Sequence, residues 1–229
     1  TATPEIYTLS LHDALPICFD VTIVRDGSIL GARGAIDISD PNSQDAIGKV
    51  NLRSTVTGYY LRKFLDTNIN LSAQTITSTY HYFPVIRLAD IYLLYAEAMN
   101  EAYGPNDAAD LGWTALEALN KVRTRAGITV PYTTTSQTEM TKKIRNERRV
   151  ELAFEDQRYF DLRRWKTAEK DLNQPLMGFR IERQDNGVVS THEFVVDGQR
   201  KFNTKMYYSP IPYSEMQLNT NLVQNPGWR

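Results

Sequence analysis

The sequence predicts a mainly α-helical fold: a helical hairpin, a charge-rich helix packed on it, irregular loops ahead of it and a small β-hairpin behind it. Three observations predict this. Apolar residues recur every three or four positions through 85–103 and again through 107–126. Ser136, with Glu139 three residues later, opens a further helix whose apolar stripe contains carboxylates. Two β-prone runs, 179–183 and 188–196, flank Asp185-Asn186-Gly187, a hairpin turn sequence.

The elements follow in order. Residues 1–17 lack a basic stretch, and His12 and Asp13 interrupt their apolar residues, so they do not read as a signal peptide. Cys18 follows Ile17, too bulky a neighbour for a lipoprotein cleavage site. The stretch reads instead as translated sequencing-adaptor sequence and is set aside as non-native. Residues 18–85 are loop-rich. Within them 19–24 alternates like a short strand, 37–45 is a solvated, turn-rich loop without the ligand spacing of a calcium loop, and 56–65 is irregular or a short strand. Residues 69–83 form a polar loop closed by Pro84.

Residues 86–170 are helical. In 85–103, Leu88, Ile91, Tyr92, Tyr95, Ala98, Met99 and Ala102 share the period. Gly104-Pro105 ends that helix. Asn106 or Asp107 caps the next, 107–126, with Leu111, Ala115, Leu116, Leu119 and Val122 on its apolar face and Gly127 as its stop. Ala96, Ala98, Ala115 and Ala118 let the two helices approach closely. The pair is similar to one tetratricopeptide-type unit. A hairpin that needs a further neighbour would leave an apolar face open. Residues 171–229 hold the β-hairpin and a tail in which Pro210 and Pro212 delay any helix to Ser214.

The stretch 144–165, IRNERRVELAFEDQRYFDLRRW, organises the rest. Met140, Ile144 and Phe154 form an apolar stripe, and Glu147 and Glu151 fall within it. Two carboxylates a turn apart on a core-facing surface repel each other and demand cationic partners. Arg87, Arg123, Arg125, Arg163 and Arg164 are the candidates, while Arg145 and Arg149 point to solvent. An ion-pair core of Glu147, Glu151, Arg87, Arg123, Asp161 and Arg164 is the expectation. The helix should run to about 156, with a second helix over 157–169 carrying Tyr159, Leu162 and Trp165 on one face.

Composition narrows the function. Lysine plus arginine number 26 against 27 aspartates and glutamates, a net charge of −1, which gives no basic face for nucleic acid. One cysteine permits no internal disulfide. The three histidines, His12, His81 and His192, are scattered, so no metal-ligand spacing exists, and no cofactor motif is present. Glu147 and Glu151 do not suit a glycoside hydrolase, because an i, i+4 pair projects side by side rather than across a cleft. Tyr80, His81 and Tyr82 cluster at the end of a loop, and Trp113 lies off the main apolar stripe of its helix. These four are the candidate ligand contacts, since flat aromatic faces suit the apolar side of a sugar ring.

Five motifs occur in an order that resembles the SusD/RagB family: RLADIYLLYAEA (87–98), LNKVRTRAG (119–127), IRNERRVELAFE (144–155) with RYFDLRRW (158–165), PIPYSE (210–215) and QNPGW (224–228). The resemblance covers residue 59 to the C-terminus. Asp156 departs from the family's usual glycine, but aspartate also accepts a left-handed turn. The resemblance implies that 18–229 is the C-terminal portion of a SusD-like fold. It implies a non-catalytic outer-membrane lipoprotein of the cell surface that passes oligosaccharides, or in some branches peptides, to a SusC-like TonB-dependent transporter. The membrane attachment would be a lipid anchor that this chain lacks. A helical-repeat scaffold for protein partners is the alternative that overlaps with it.

Overall fold

A computed structural model describes residues 16–47, 54–66, 82–184 and 186–228. Residues 1–15, most of the stretch 1–17 that was expected to be non-native, lie outside the described residues, as do Tyr80, His81 and Asp185.

The N-terminal region is loop-rich. Helix α1 (Pro16–Thr22) occupies most of the stretch expected as a strand, and only β1 (Ile23–Val24) is extended. β1 pairs antiparallel with β4 (Tyr60–Leu61). β2 (Ile29–Leu30) and β3 (Gly34–Ala35) pair across a 3₁₀ turn. Val24, Ile36 and Ile38 form a small core here, with Leu30, Ile47 and Tyr60 against it. The acidic loop is tied to its own backbone and to arginines. Asp26 Oδ1 accepts from the amides of Ile38 (2.6 Å) and Ser39 (3.0 Å), and Arg33 pairs with Asp45.

The helical region is built on α2 (Leu88–Tyr103), α3 (Ala115–Arg125) and α4 (Gln137–Glu151). Their shared core includes Leu93, Ala96, Met99, Ala115, Ala118, Leu119, Val122, Met140 and Ile144. Ala96, Ala115 and Ala118 are fully buried, so the small side chains do bring the helices together, whereas Ala98 is exposed. Asn100, buried in α2, donates to Gln137 O (3.1 Å) and Thr141 Oγ1 (2.9 Å), and Gln137 Nε2 returns a bond to Asn100 O (2.6 Å). The outer side of α2 exposes Leu88, Ile91 and Leu94, so this helix is apolar on both sides.

α3 starts eight residues later than expected. Asp107 does not cap it; its carboxylate accepts from Ala109 N (2.8 Å) inside a turn. Ala109 (φ 44°), Asp110 (φ 60°) and Gly112 (φ 99°) are left-handed, which no helix tolerates. Leu111 is accordingly exposed rather than part of an apolar face. Thr114 is the true cap: its hydroxyl accepts from Glu117 N (3.0 Å) and Glu117 Oε2 accepts from Thr114 N (2.8 Å), a closed capping box. At α4 only half of the expected box forms. Ser136 accepts from Glu139 N (3.3 Å), but the Glu139 carboxylate pairs with Lys142 (2.7 Å).

α4 ends at Glu151, earlier than expected, because Phe154 (φ 63°) and Asp156 (φ 60°) are left-handed. Phe154 is half-exposed and does not continue the apolar stripe. Asp156 holds the left-handed position that an aspartate accepts. The single helix expected over 157–169 is two, α5 (Gln157–Arg164) and α6 (Ala168–Leu172), separated by left-handed Lys166. Of the face expected on α5, Leu162 is buried and Tyr159 is exposed.

The β-hairpin is β5 (Leu176–Arg183) and β6 (Val189–Asp197), in register from Arg183↔Val189 to Met177↔Val195, with a bulge before Leu176↔Asp197. β5 also binds the N-terminal region: Phe179 N donates to Thr57 O and Arg183 N to Ser39 O, both at 2.9 Å. Gly58 makes that approach possible, since a Cβ there would lie 2.1 Å from Phe179 O. The tail closes with α7 (Tyr213–Leu218) and a third core of Leu162, Ala168 and Phe202.

Candidate functional site

Two groups of side chains stand out: a buried ionic lattice on α4 and an exposed aromatic surface beside α2 and α3.

Helix α4 buries Met140, Ile144, Glu147, Arg148 and Glu151. Their spacing is that of a core-facing stripe, so three charges occupy positions a globular helix gives to apolar residues. Each is met by an opposite charge. Glu147 Oε2 accepts from Arg123 Nη1 at 3.0 Å. Glu151 Oε1 accepts from Arg87 and from Arg125, both at 2.5 Å. Arg148, 2% exposed, donates to Asp90 on α2 and to Asp161 on α5, both at 2.8 Å. Asp161 also accepts from Arg164 (2.9 Å), whose two terminal nitrogens reach Glu97 at 2.5 Å. Arg87, the residue before α2, further binds Glu155 (2.6 Å). Lys63 joins Glu155 and caps the end of α4 through the carbonyls of Glu151 and Ala153, each at 3.0 Å.

Burial of Glu147 raises its pKa, against the pull of Arg123. Burial also acts on Glu155, but the hydrogen bonds from Arg87 and Lys63 outweigh it and leave its pKa lowered. Glu97 is lowered in the same way, burial being outweighed by Arg164 and the Trp165 indole. Glu147 and Glu151, the i, i+4 pair, are both met by guanidinium groups. The lattice locks α4 to α2, α3 and α5.

Several members lay outside the expected set: Arg148, Asp90, Glu97, Glu155 and Lys63. Arg148 had a readable signal, because it stands four residues after Ile144 on the buried face. Arg163 is spent elsewhere, on Tyr159 Oη and Tyr207 O. Arg145, expected in solvent, stacks over the Trp165 ring at 4.8 Å.

The aromatic candidates separate. Tyr82 is 83% exposed and leads into α2, next to Phe83, whose ring packs on Phe64 at 5.4 Å. Trp113 is 38% exposed. Its ring lies 5.3 Å from that of Tyr92, tilted 39°, and Lys121 Nζ sits 4.2 Å from its centroid. Among the described residues no ring contact joins Tyr82 to Trp113. The half-exposed indole thus has a second ring tilted against it and an ammonium over its own ring, an aromatic surface with a cationic donor beside it. That is the chemistry needed to hold a pyranose ring.

Among the described residues no group of three or more His, Cys, Asp or Glu side chains is placed to hold a metal ion. No described helix is long and apolar enough to cross a membrane.

Comparison with known proteins assigns the fold a relationship. The model of the SusD family matches residues 20–228. SusD-like protein P25 of Formosa agariphila is 33% identical over 159 residues, covering 63% of this chain and 24% of that protein. SusD-like protein P2 of the same organism is 31% identical over 159 residues, covering 66% and 26%. A solved SusD-like protein from Bacteroides fragilis superposes with a TM-score of 0.74 at 29% identity, over 92% of this chain and 38% of its own. The match thus spans about a quarter of the curated relatives and under two-fifths of the solved one.

Proposed function

The chain belongs to the SusD family, whose members are generally nutrient-binding outer-membrane lipoproteins that pair with SusC-like transporters, and on that premise we propose that it binds oligosaccharides without cleaving them. In this reading the bound sugar is handed to a TonB-dependent transporter at the cell surface. Residues 18–229 form the C-terminal portion of the binding protein.

The observation that carries the proposal is the Trp113 surface. An indole left 38% exposed on the loop that leads into α3 supplies stacking area that the core does not use. Tyr82 supplies a second exposed ring. The carboxylates that would serve a hydrolase are buried in ion pairs, which favours binding over catalysis.

The test is affinity electrophoresis of the full-length protein in gels containing laminarin, xylan, galactomannan or polygalacturonate. At least one polysaccharide should retard the protein, and Trp113→Ala should remove much of that retardation. Equal mobility of the wild type in all four gels, with saturable binding to a peptide library instead, would replace the oligosaccharide reading by a peptide one.

A further inference from the structure

Trp113 sits on backbone that resists its own shape. Ala109 and Asp110 are consecutive non-glycine residues in the left-handed region, and Gly112 follows at φ 99°. Such a segment persists only when its surroundings over-determine it. Within the loop, Leu111 N donates to Ala108 O (2.8 Å) and Ala109 N to Asp107 Oδ1 (2.8 Å). The capping box at Thr114 and Glu117 fixes the exit into α3. From α2, the Tyr95 hydroxyl donates to the carbonyl of Trp113 at 2.8 Å, with that of Leu111 at 3.4 Å. One turn back on α2, Tyr92 stacks on the indole itself.

We propose that Tyr95 is a positioning residue for the Trp113 platform: its hydroxyl holds the strained loop so that the indole is presented in one orientation before any sugar arrives. This rests on the reading that Trp113 contacts the sugar, and adds how the contact is set. A ring fixed in advance forfeits less freedom on binding than one on a mobile loop. Tyr92 packs against the ring, Tyr95 pins the Trp113 carbonyl, and the Lys121 ammonium lies over the ring as the adaptable group.

The test is a double-mutant cycle on the full-length protein, in the same four polysaccharide gels, with amide hydrogen exchange as a second readout. Tyr95→Phe removes only the hydroxyl. It should weaken retention about five- to tenfold, or ~1.0–1.4 kcal/mol at the usual conversion per decade, and speed exchange across 108–113. The melting temperature should hold. In a Trp113→Ala background, Tyr95→Phe should weaken retention no further.

The outcomes separate the inference from the reading beneath it. If Trp113→Ala abolishes retention and Tyr95→Phe leaves both retention and exchange unchanged, the platform stands and the positioning role is wrong. Equal losses from Tyr95→Phe with and without Trp113 mean that Tyr95 supports the fold generally, which also overturns the role. Retention untouched by Trp113→Ala, or absent from all four gels, removes the platform and with it the inference.

Discussion

Replacing Arg148 by methionine should be among the most damaging single changes in the helical region. The side chain is buried and its guanidinium is shared between two buried carboxylates, Asp90 and Asp161, at 2.8 Å each. Methionine fills a similar volume, so little of the loss comes from packing. The cost arises because both carboxylates lose the partner that offset their desolvation. Stranding a buried charge costs about 3–5 kcal/mol. Asp161 keeps Arg164 at 2.9 Å, so the lower half of that range is expected for its share. For a chain of this size the same loss lowers the melting temperature by about 6–20 °C. The assay is urea unfolding followed by circular dichroism, with thermal melts alongside. The control is the triple variant Asp90→Asn, Arg148→Met, Asp161→Asn, which removes all three charges. It should recover most of the lost stability, because the penalty belongs to the unpaired charges and not to the absence of the ion pairs. A loss below ~1 kcal/mol, the scale of an exposed pair, would refute the reasoning. So would a triple variant as unstable as Arg148→Met.

Other consequences follow from particular side chains. Glu155 has a lowered pKa in the folded state, so its contribution is complete above the 4.5 of an ordinary glutamate and is lost as pH falls through the lowered value. The stability gap between wild type and Glu155→Gln, from urea melts across pH, should be widest near neutrality and close in acid; a gap independent of pH contradicts this. Glu147 runs oppositely: with its pKa raised, the stability linked to its proton is present at low pH and lost as pH rises through the raised value. Gly58→Ala would drive a Cβ to 2.1 Å from Phe179 O at φ +82°, so proteolysis between the β-hairpin and the N-terminal region should accelerate; unchanged digestion refutes the contact. Asp156→Gly relieves a left-handed residue at φ 60° and should raise the melting temperature slightly, while Asp156→Val should lower it by more than Asp156→Gly raises it.

The legible parts of the fold were those with a period or a paired signal. α2, α4 and the β-hairpin carry such signals in their own residues, and the asparagine-glycine turn places β5 and β6 in register. The start of α3 was misplaced because Asp107 resembles a cap and Leu111 falls on the helical period by chance. The better signal was Thr114 with Glu117, a capping box directly before an apolar run. Left-handed Phe154 and Lys166 cut the helices short, and neither residue type announces that conformation. In the lattice, charge on a core-facing stripe was readable from Glu147 and Glu151. Which partners close it depends on long-range contacts, such as Lys63 with Glu155 and Arg148 with Asp90, that local sequence does not encode. The exposed indole of Trp113 depends on the same misread loop, so the candidate site was named by residue type and took its shape from strain that the sequence hid.

The central claim is binding without turnover. The most direct measurement is calorimetric titration of the full-length protein with soluble fragments of laminarin, xylan, galactomannan and polygalacturonate, with reducing ends assayed in the same samples after prolonged incubation. Saturable heat is expected with at least one fragment, lost in Trp113→Ala, and no new reducing ends should form. Growth of reducing ends that disappears in Glu147→Gln, or heat from peptides and from none of the sugars, would contradict it.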